Sequence, residues 1–342
     1  MISLLLVNYR SARLAREAIR TARLSSATPL QVVVVDNSCD ASEAAELRDA
    51  ADTLLVSPRN LGYAGGINAG RRAAAGETLV VTNPDVTFGA GAIDRLAEEL
   101  RDAAVAGPAL FWDEAHQWML PPGDLGTGRE KIDEILAGRS RDWFVQRDRR
   151  RFRKRVAFWS LQRTTAVRML SGAVLAIRAA DFDRVGGFDE RFALYFEESD
   201  FLRRIAELRS RIVYVPAARC RHLYNQSAGQ VATEAAARYA ESELRYLEKW
   251  QGPFAARLLK RLERPLPAFD AQPLTVPLAL DRDDVVVEAS PLASFSTAAG
   301  SFPTERTMTI PAEVLRTVST PLYLRAVVRA TGQVLGTYRI TP

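Results

Sequence analysis

A chain of 342 residues, 47% hydrophobic and 25% charged, has room for one large α/β domain plus a small module and is too apolar for disorder. No run reaches the roughly 18 apolar residues of a membrane-spanning helix, and Cys39 and Cys220 lack any CxxC or Cys/His spacing for zinc. The net charge of +5 hides one block, because residues 139–155 hold nine Lys/Arg against two Asp and the remainder sums to −2. That concentration argues for a local anionic partner rather than a nucleic-acid face.

The opening MISLLLV lacks the basic lead, length and cleavage site of a signal peptide, so a cytoplasmic protein is expected. Ser3 to Val7 reads as a strand. From Ser11, Leu14, Ala18, Ile19 and Ala22 recur at helical spacing. Val32 to Val35 is a β-branched run of the kind buried on both faces. A helix is expected over 41–51, a strand over Leu54–Ser57, a helix after Asn68, a strand over Leu79–Thr82 and a helix near 90–104. This alternation predicts an open, mostly parallel α/β sheet flanked by helices.

Residues 111–168 differ, with four of the five tryptophans, a Pro-Pro-Gly-Asp turn and the basic block. Strands resume at Gly172–Ile177 and Ile212–Val215, with a helix between them near 198–209, and 231–263 reads as two amphipathic helices. The proline-rich 264–273 marks a linker, and the β-rich runs of 274–342 suggest a small sandwich-like module. The expected organisation is therefore one domain over 1–263, a linker at 264–273 and an accessory module at 274–342. Within the domain, 1–110 would be the nucleotide-binding half, 111–230 the acceptor and catalytic half, and 231–263 the closing helices.

In open α/β sheets ligands bind beyond the carboxyl ends of the strands. Those ends carry Asn8-Tyr9-Arg10, Asp36-Asn37-Ser38, the stretch from Arg59 to Asn68, and Asn83-Pro84-Asp85. Four polar strand ends in succession exceed what turns require. The glycines of 60–70 do not form a dinucleotide fingerprint, which would sit in the first strand-to-helix turn.

The set resembles the family 2 glycosyltransferases with the GT-A fold, in particular the rhamnosyltransferase-like branch. The resemblance rests on VNYRS (7–11), VVVVDNSCD (32–40), NLGYAGGINAG (60–70), TNPDV (82–86), SGAVLAIR (171–178), VGGFDERFALYFEESDFLRR (185–204) and RHLYNQS (221–227), and it covers about 1–255. It implies an inverting, metal-dependent transfer of a sugar from a nucleoside diphosphate to a hydroxyl acceptor in cell-surface glycan synthesis. The leaning is toward dTDP-rhamnose, with UDP-hexoses behind it.

By that resemblance, Val7, Asn8, Tyr9, Asp36, Asn60, Gly62, Gly66, Asn68, Asn83 and Gly172 bind the nucleotide-sugar. Tyr9 would flank the base, and Asp36 would accept hydrogen bonds from base or ribose. Asp85 would ligate Mg²⁺ or Mn²⁺, with His222 beside it or on the diphosphate. The family's DxD appears here as Asn83-Pro84-Asp85, its first carboxylate replaced by an amide. Glu198 occupies the position of the general base, next to Glu197, with Asp200 as second candidate base or orienting group. The 139–155 block would face anionic headgroups or a lipid diphosphate acceptor, giving peripheral contact at the inner face of the membrane. Homo-oligomerisation stays open, and no nucleic-acid partner is expected. Two other readings compete: an inactive sugar-nucleotide-binding or assembly protein on the same fold, and a nucleotidyltransferase. VNYRS lacks the glycine-rich basic loop that the second would need.

Overall fold

A computed structural model describes residues 1–192, 194–223, 232–274, 277–318 and 321–341. Tyr224–Ser227 of the RHLYNQS motif therefore lie outside the described residues. The chain runs β1 (Ile2–Asn8), α1 (Ala12–Leu24), β2 (Leu30–Asp36), α2 (Ala41–Leu47), β3 (Thr53–Val56), α3 (Gly62–Ala73), β4 (Thr78–Thr82), β5 (Val86–Phe88), α4 (Ala92–Glu99) and β6 (Val105–Phe111). Next come α5 (Gly128–Ala137), α6 (Arg141–Trp159), β7 (Thr165–Ala166), β8 (Val174–Arg178), α7 (Ala179–Arg184), α8 (Glu197–Glu207), β9 (Ile212–His222), α9 (Ala232–Gln251) and α10 (Pro253–Leu262). The last elements are β10 (Gln272–Pro273), β11 (Leu278–Ala279), β12 (Val285–Ser290), β13 (Ala299–Ser301), β14 (Thr307–Met308), α11 (Ala312–Arg316), β15 (Leu322–Val328) and β16 (Val334–Ile340).

These elements fall into two compact units. The first comprises 1–110, 123–125 and 162–250, the second 111–122, 126–161 and 251–342. The division differs from the one expected of the sequence. α5 and α6 leave the catalytic half and join the C-terminal strands, and the reason lies in the charges described below.

In the first unit the strands pair in the order β3-β2-β1-β4-β8-β6-β9-β5, with β7 against β9. The sheet is mixed. β1, β2, β3 and β4 are parallel, as strand–helix alternation requires, whereas β4 with β8, β6 with β8 and β5 with β9 are antiparallel. Every residue of β1 is buried, which is why it reads as an unbroken apolar run. Register then levels the functional ends: Asn8 pairs with Asp36, and Asp36 with Val56. Because β8 is antiparallel to β4, with Thr82 opposite Val174, the start of β8 reaches that same edge. The Asn83 amide donates to the Ala173 carbonyl there at 2.9 Å.

The helix α3 comes close to β1 and β2 because it carries glycine where it meets them. A Cβ on Gly66 would stand 2.7 Å from Val7 Cγ2. The glycine expected to approach a ligand is therefore filled by the sheet beneath it.

In the second unit five strands pair in the order β10-β16-β15-β12-β13, with β11 and β14 forming a separate pair. The layer packed on this sheet is α6. Its Phe152 and Trp159 form a core with Val286 and Val327. Between those aromatic anchors lies a buried charge network. Glu288 and Arg325 face each other across β12 and β15 at 2.7 Å. Arg155 reaches Glu288 at 2.7 Å, and Arg325 takes Asp148 with two bonds of 2.8 Å. Asp148, Phe152 and Arg155 share one helix face. Burial pushes the Glu288 carboxyl up, but the two guanidiniums outweigh it and hold it below the usual range.

The basic block has thus found its anions at home. Arg147 is buried against Asp133 and Glu134, Arg150 bonds Asp133 at 2.6 Å, and Lys154 lies 3.9 Å from Glu130. Arg139, Arg141, Arg151 and Arg153 donate to the carbonyls of Leu262, Ala268, Ser296 and Thr331. Carbonyl bonds leave the guanidinium charge in place, and Arg139, Arg141, Arg149, Arg150, Arg153 and Lys154 stay exposed.

Removing one member of a buried ion network leaves the other charge uncompensated, at a cost of about 3–5 kcal/mol. Arg325→Met is expected to lower stability in urea unfolding by that amount. Arg149→Gln, at an exposed position on the same helix, is expected to change it by less than about 0.5 kcal/mol.

Candidate active site

The first cluster ties strand ends together. Asn8 is fully buried, and its amide donates to Asp36 Oδ1 at 2.9 Å and Glu43 Oε2 at 3.0 Å. Asp36 Oδ1 also accepts from the Ser38 amide at 3.0 Å, and Oδ2 from the Ser38 hydroxyl at 2.9 Å. Both oxygens of Asp36 are therefore engaged inside the protein. Asn37, which sequence reasoning passed over, donates to the Gly62 carbonyl at 2.9 Å and so ties the end of β2 to the start of α3. Asn60 accepts from the Gly62 amide at 2.8 Å, and Gly62 itself has a φ of 72°. Tyr9 stands apart from this internal bonding. It is 43% exposed at the strand edge, with the Arg10 guanidinium 5.5 Å from its ring centroid.

Asn68 turns away from the cluster. Its amide donates to the Phe188 carbonyl and to Glu190, each at 2.9 Å, and its Oδ1 accepts from the Phe188 amide at 3.0 Å. It fastens α3 to the Gly-Gly-Phe-Asp turn.

The second cluster gathers the carboxylates. β5 and β9 pair with Val86 opposite His222. That register brings His222 Nε2 to 3.4 Å from the buried Asp85 Oδ1, so the two residues expected to share a metal are neighbours. Among the described residues no group of three or more His, Cys, Asp or Glu could hold an ion. Asp85 with His222 fits only a cation whose remaining ligands come from a diphosphate and water.

Glu197 opens α8 and is 6% exposed, and its Oε2 is buried without a hydrogen bond. Burial pushes its carboxyl well above the ordinary range, and the neighbouring Glu198 charge pushes it further. Glu198 is also raised by burial. Gly172 makes room for it, because a Cβ there would stand 2.9 Å from Glu198 Cγ. Tyr63 belongs to the same cluster and was missed. Its hydroxyl is buried without a partner, and burial together with Glu197, Glu198 and Asp85 pushes the phenol well above its usual range. The signal was present in NLGYAGG, where a tyrosine enters the first turn of a helix at a polar sheet edge.

Asp200, two positions beyond Glu198 on α8, points away from it. It is fully buried and accepts from Arg204 Nε at 2.8 Å, Trp250 Nε1 at 3.0 Å and Lys249 Nζ at 2.6 Å. Three donors occupy most of the acceptor sites of this carboxylate, an arrangement that suits the orienting group named as its other role. Lys249 also bonds Asp189 at 2.8 Å. Bonds from Arg191 and Lys249 outweigh burial and hold that carboxyl below its usual range. α9 adds Ser242 to the Leu194 carbonyl at 2.8 Å, and rings of Tyr239 and Tyr246 against Phe196 at 5.2 and 5.3 Å. These contacts brace Tyr195 and Phe196, both non-glycine residues at φ 68° immediately before the helix. Such conformations persist only where surrounding structure enforces them.

An open mixed sheet with polar strand ends level on one edge, and a raised carboxylate pair at that edge, defines a GT-A fold arranged for group transfer. Residues 2–242 match the family described as glycosyltransferase like family 2, and the chain belongs to that family. Its activity class is glycosyl transfer. The chain is 32% identical over 240 residues to the N-acetylglucosaminyl-diphospho-decaprenol L-rhamnosyltransferase of Mycobacterium tuberculosis (strain H37Rv), covering 61% of this chain and 72% of that protein. It is 30% identical over 90 residues to the rhamnosyltransferase WbbL of Escherichia coli K12, covering 26% of this chain and 34% of that one. Among solved structures, the mannosyltransferase PcManGT from Pyrobaculum calidifontis in complex with GDP-Man and Mn²⁺ is similar with a TM-score of 0.48 and 18% identity, covering 75% of this chain and 69% of that one. These likenesses place the chain in the rhamnosyltransferase-like branch and do not favour the inactive binding protein.

Two substitutions separate the roles of these residues. Gly172→Ala is expected to displace Glu198 and lower kcat by at least about tenfold, since a small misplacement of a reacting group costs one to two orders of magnitude, with the circular dichroism spectrum unchanged. Asp200→Asn is expected to act on stability instead, lowering the unfolding midpoint more than it lowers kcat.

Proposed function

We propose that the protein is an inverting glycosyltransferase that moves L-rhamnose from dTDP-rhamnose, or a hexose from a UDP-sugar, onto a hydroxyl of a lipid-linked glycan acceptor. The observation that carries this reading is the Glu197–Glu198 pair at the sheet edge, with its raised carboxyls, beside the unpartnered Tyr63 hydroxyl. The likeness to the N-acetylglucosaminyl-diphospho-decaprenol L-rhamnosyltransferase of Mycobacterium tuberculosis supports both the sugar and the lipid-linked acceptor.

The acceptor oxygen attacks the anomeric carbon, the bond from that carbon to the diphosphate breaks, and the acceptor proton passes to Glu198. A base needs its pKa near the working pH, and burial moves Glu198 in that direction. Glu197, more deeply buried than Glu198, resists ionisation beside it. Tyr63 donates to the same region. Tyr9 flanks the nucleotide base, and Asp36 shapes its pocket through Asn8 and Ser38. Asn83 and Asp85 lie on the diphosphate side. Asp85 and His222 would hold a divalent cation, Mg²⁺ or Mn²⁺, which when bound offsets the charge of the leaving diphosphate.

Calorimetric titration with dTDP and UDP, with and without Mg²⁺ or Mn²⁺, tests the donor site. Metal-dependent binding of dTDP that Asp85→Ala abolishes is the expected outcome, and no binding of either nucleotide under any condition would remove the reading. Glu198→Gln is expected to lower kcat at least about 100-fold while nucleotide affinity stays within about twofold. Because the base must be ionised and its pKa is raised, the acid limb of the kcat profile should lie above the ordinary glutamate range. Activity should fall as pH drops through that limb, and Tyr63→Phe should shift the limb as well as lower kcat.

A further inference from the structure

Part of the charge of 139–155 pairs with carboxylates of its own unit, and the second unit carries another surface with a different composition. The helix α10, PFAARLLKRL, holds three cations and no carboxylate. It turns Ala256 inward, fully buried, and leaves Phe254 and Leu258 outward at 83% and 47% exposure. Phe254 is the most exposed large apolar side chain among the described residues. Arg257 and Arg261 are exposed as well. Positions 254, 257, 258 and 261 fall on one helix face, so two large apolar side chains alternate there with two guanidiniums. The neighbouring α5 exposes Ile132 at 49% and Leu136 at 37%, with exposed Arg129 and Arg139 to either side, but it also carries Glu130, Asp133 and Glu134. Arg139 donates to the Leu262 carbonyl at 3.1 Å, which joins the end of α5 to the end of α10.

We propose that α10 docks the protein on an anionic membrane surface, seating Phe254 and Leu258 among the acyl chains while Arg257 and Arg261 meet lipid phosphates. The chemistry decides between occupants. An apolar face bordered by Arg257 and Arg261, on a helix with no carboxylate of its own, matches the interface of a bilayer, where both kinds of group are satisfied at once. A second copy of the chain would set these arginines against their own symmetry mates. The ten residues of α10 also offer little of the roughly 800 Å² per partner that a stable protein interface needs. This goes beyond the proposed reaction and does not depend on the identity of donor or acceptor.

The test is flotation of the full chain with vesicles of phosphatidylcholine alone and with about one-third phosphatidylglycerol, at low and high salt. The wild type is expected to float with the anionic vesicles at low salt and to be released by salt. The double variant Phe254→Ser, Leu258→Ser is expected to weaken partition at least about tenfold with an unchanged unfolding midpoint. Arg257→Gln, Arg261→Gln should bind more weakly and lose the salt dependence, whereas Arg149→Gln should bind as wild type. Failure of the wild type to float, or flotation unaltered by the Phe254/Leu258 variant, overturns the proposal. So does light scattering that shows a dimer which that variant dissociates, because the face is then a contact between copies. None of these readouts uses turnover, so a failure here leaves the reaction assignment where it stands.

Discussion

Two adjacent carboxyls at the start of α8 cannot both be buried and charged without a large penalty, and much of the first unit is arranged around that difficulty. Glu197 and Glu198 resist ionisation because water is excluded from them. Burying them asks the backbone to enter the helix through two left-handed residues, Tyr195 and Phe196. The helix α9 supplies the restraint: Lys249 and Trp250 hold Asp200, Ser242 holds the Leu194 carbonyl, and tyrosine rings close over Phe196. Binding is fixed at one end of the acidic motif so that its other end can remain poorly satisfied. The same motif thus contains an anchor, Asp200, and the proposed base, Glu198, two residues apart.

The parallel half of the sheet performs the complementary task. Level strand ends bring Asn8 and Asp36 together, and the antiparallel return of β8 delivers Gly172 to the edge where Asn83 and Asp85 emerge. Most polar groups at that edge are bonded to one another, which makes the rim stiff. Among the described residues Tyr9 presents an exposed ring there, and Tyr63 and Glu197 each hold a buried polar atom without a hydrogen bond. A rigid frame with a few unmet groups is the condition for preorganised recognition of charge that develops during reaction.

Legibility in the sequence followed the range of the interactions. β-branched runs, helical periodicity and strand-end polarity are local, so β1, β2, β4 and the sheet edge could be read directly. The motif containing Glu197 to Asp200 was legible as acidic, but the division of labour within it was not, because Lys249 and Trp250 lie about fifty residues further on. Gly66 looked like a ligand glycine until Val7 proved to fill the space beneath it. Tyr63 was hidden by its company, since an aromatic residue in a glycine-rich turn says nothing of the carboxylates that other segments bring to it. The internal partners of the basic block were hidden for the same reason: Glu288 and Ser296 sit more than a hundred residues away.

The network of Asp148, Arg155, Glu288 and Arg325 also bears on where this polypeptide can be cut. The proline-rich stretch at 264–273 looks like a hinge between separable parts, and severing it there would free the strands from β11 onward as a tidy fragment. That fragment would keep Glu288 and Arg325 but lose the helix that neutralises and covers them, exposing the ring of contacts formed by Phe152 and Trp159 as well. The C-terminal strands are consequently not a portable module. Any graft, truncation or domain exchange that respects the physics must carry α6 along with them.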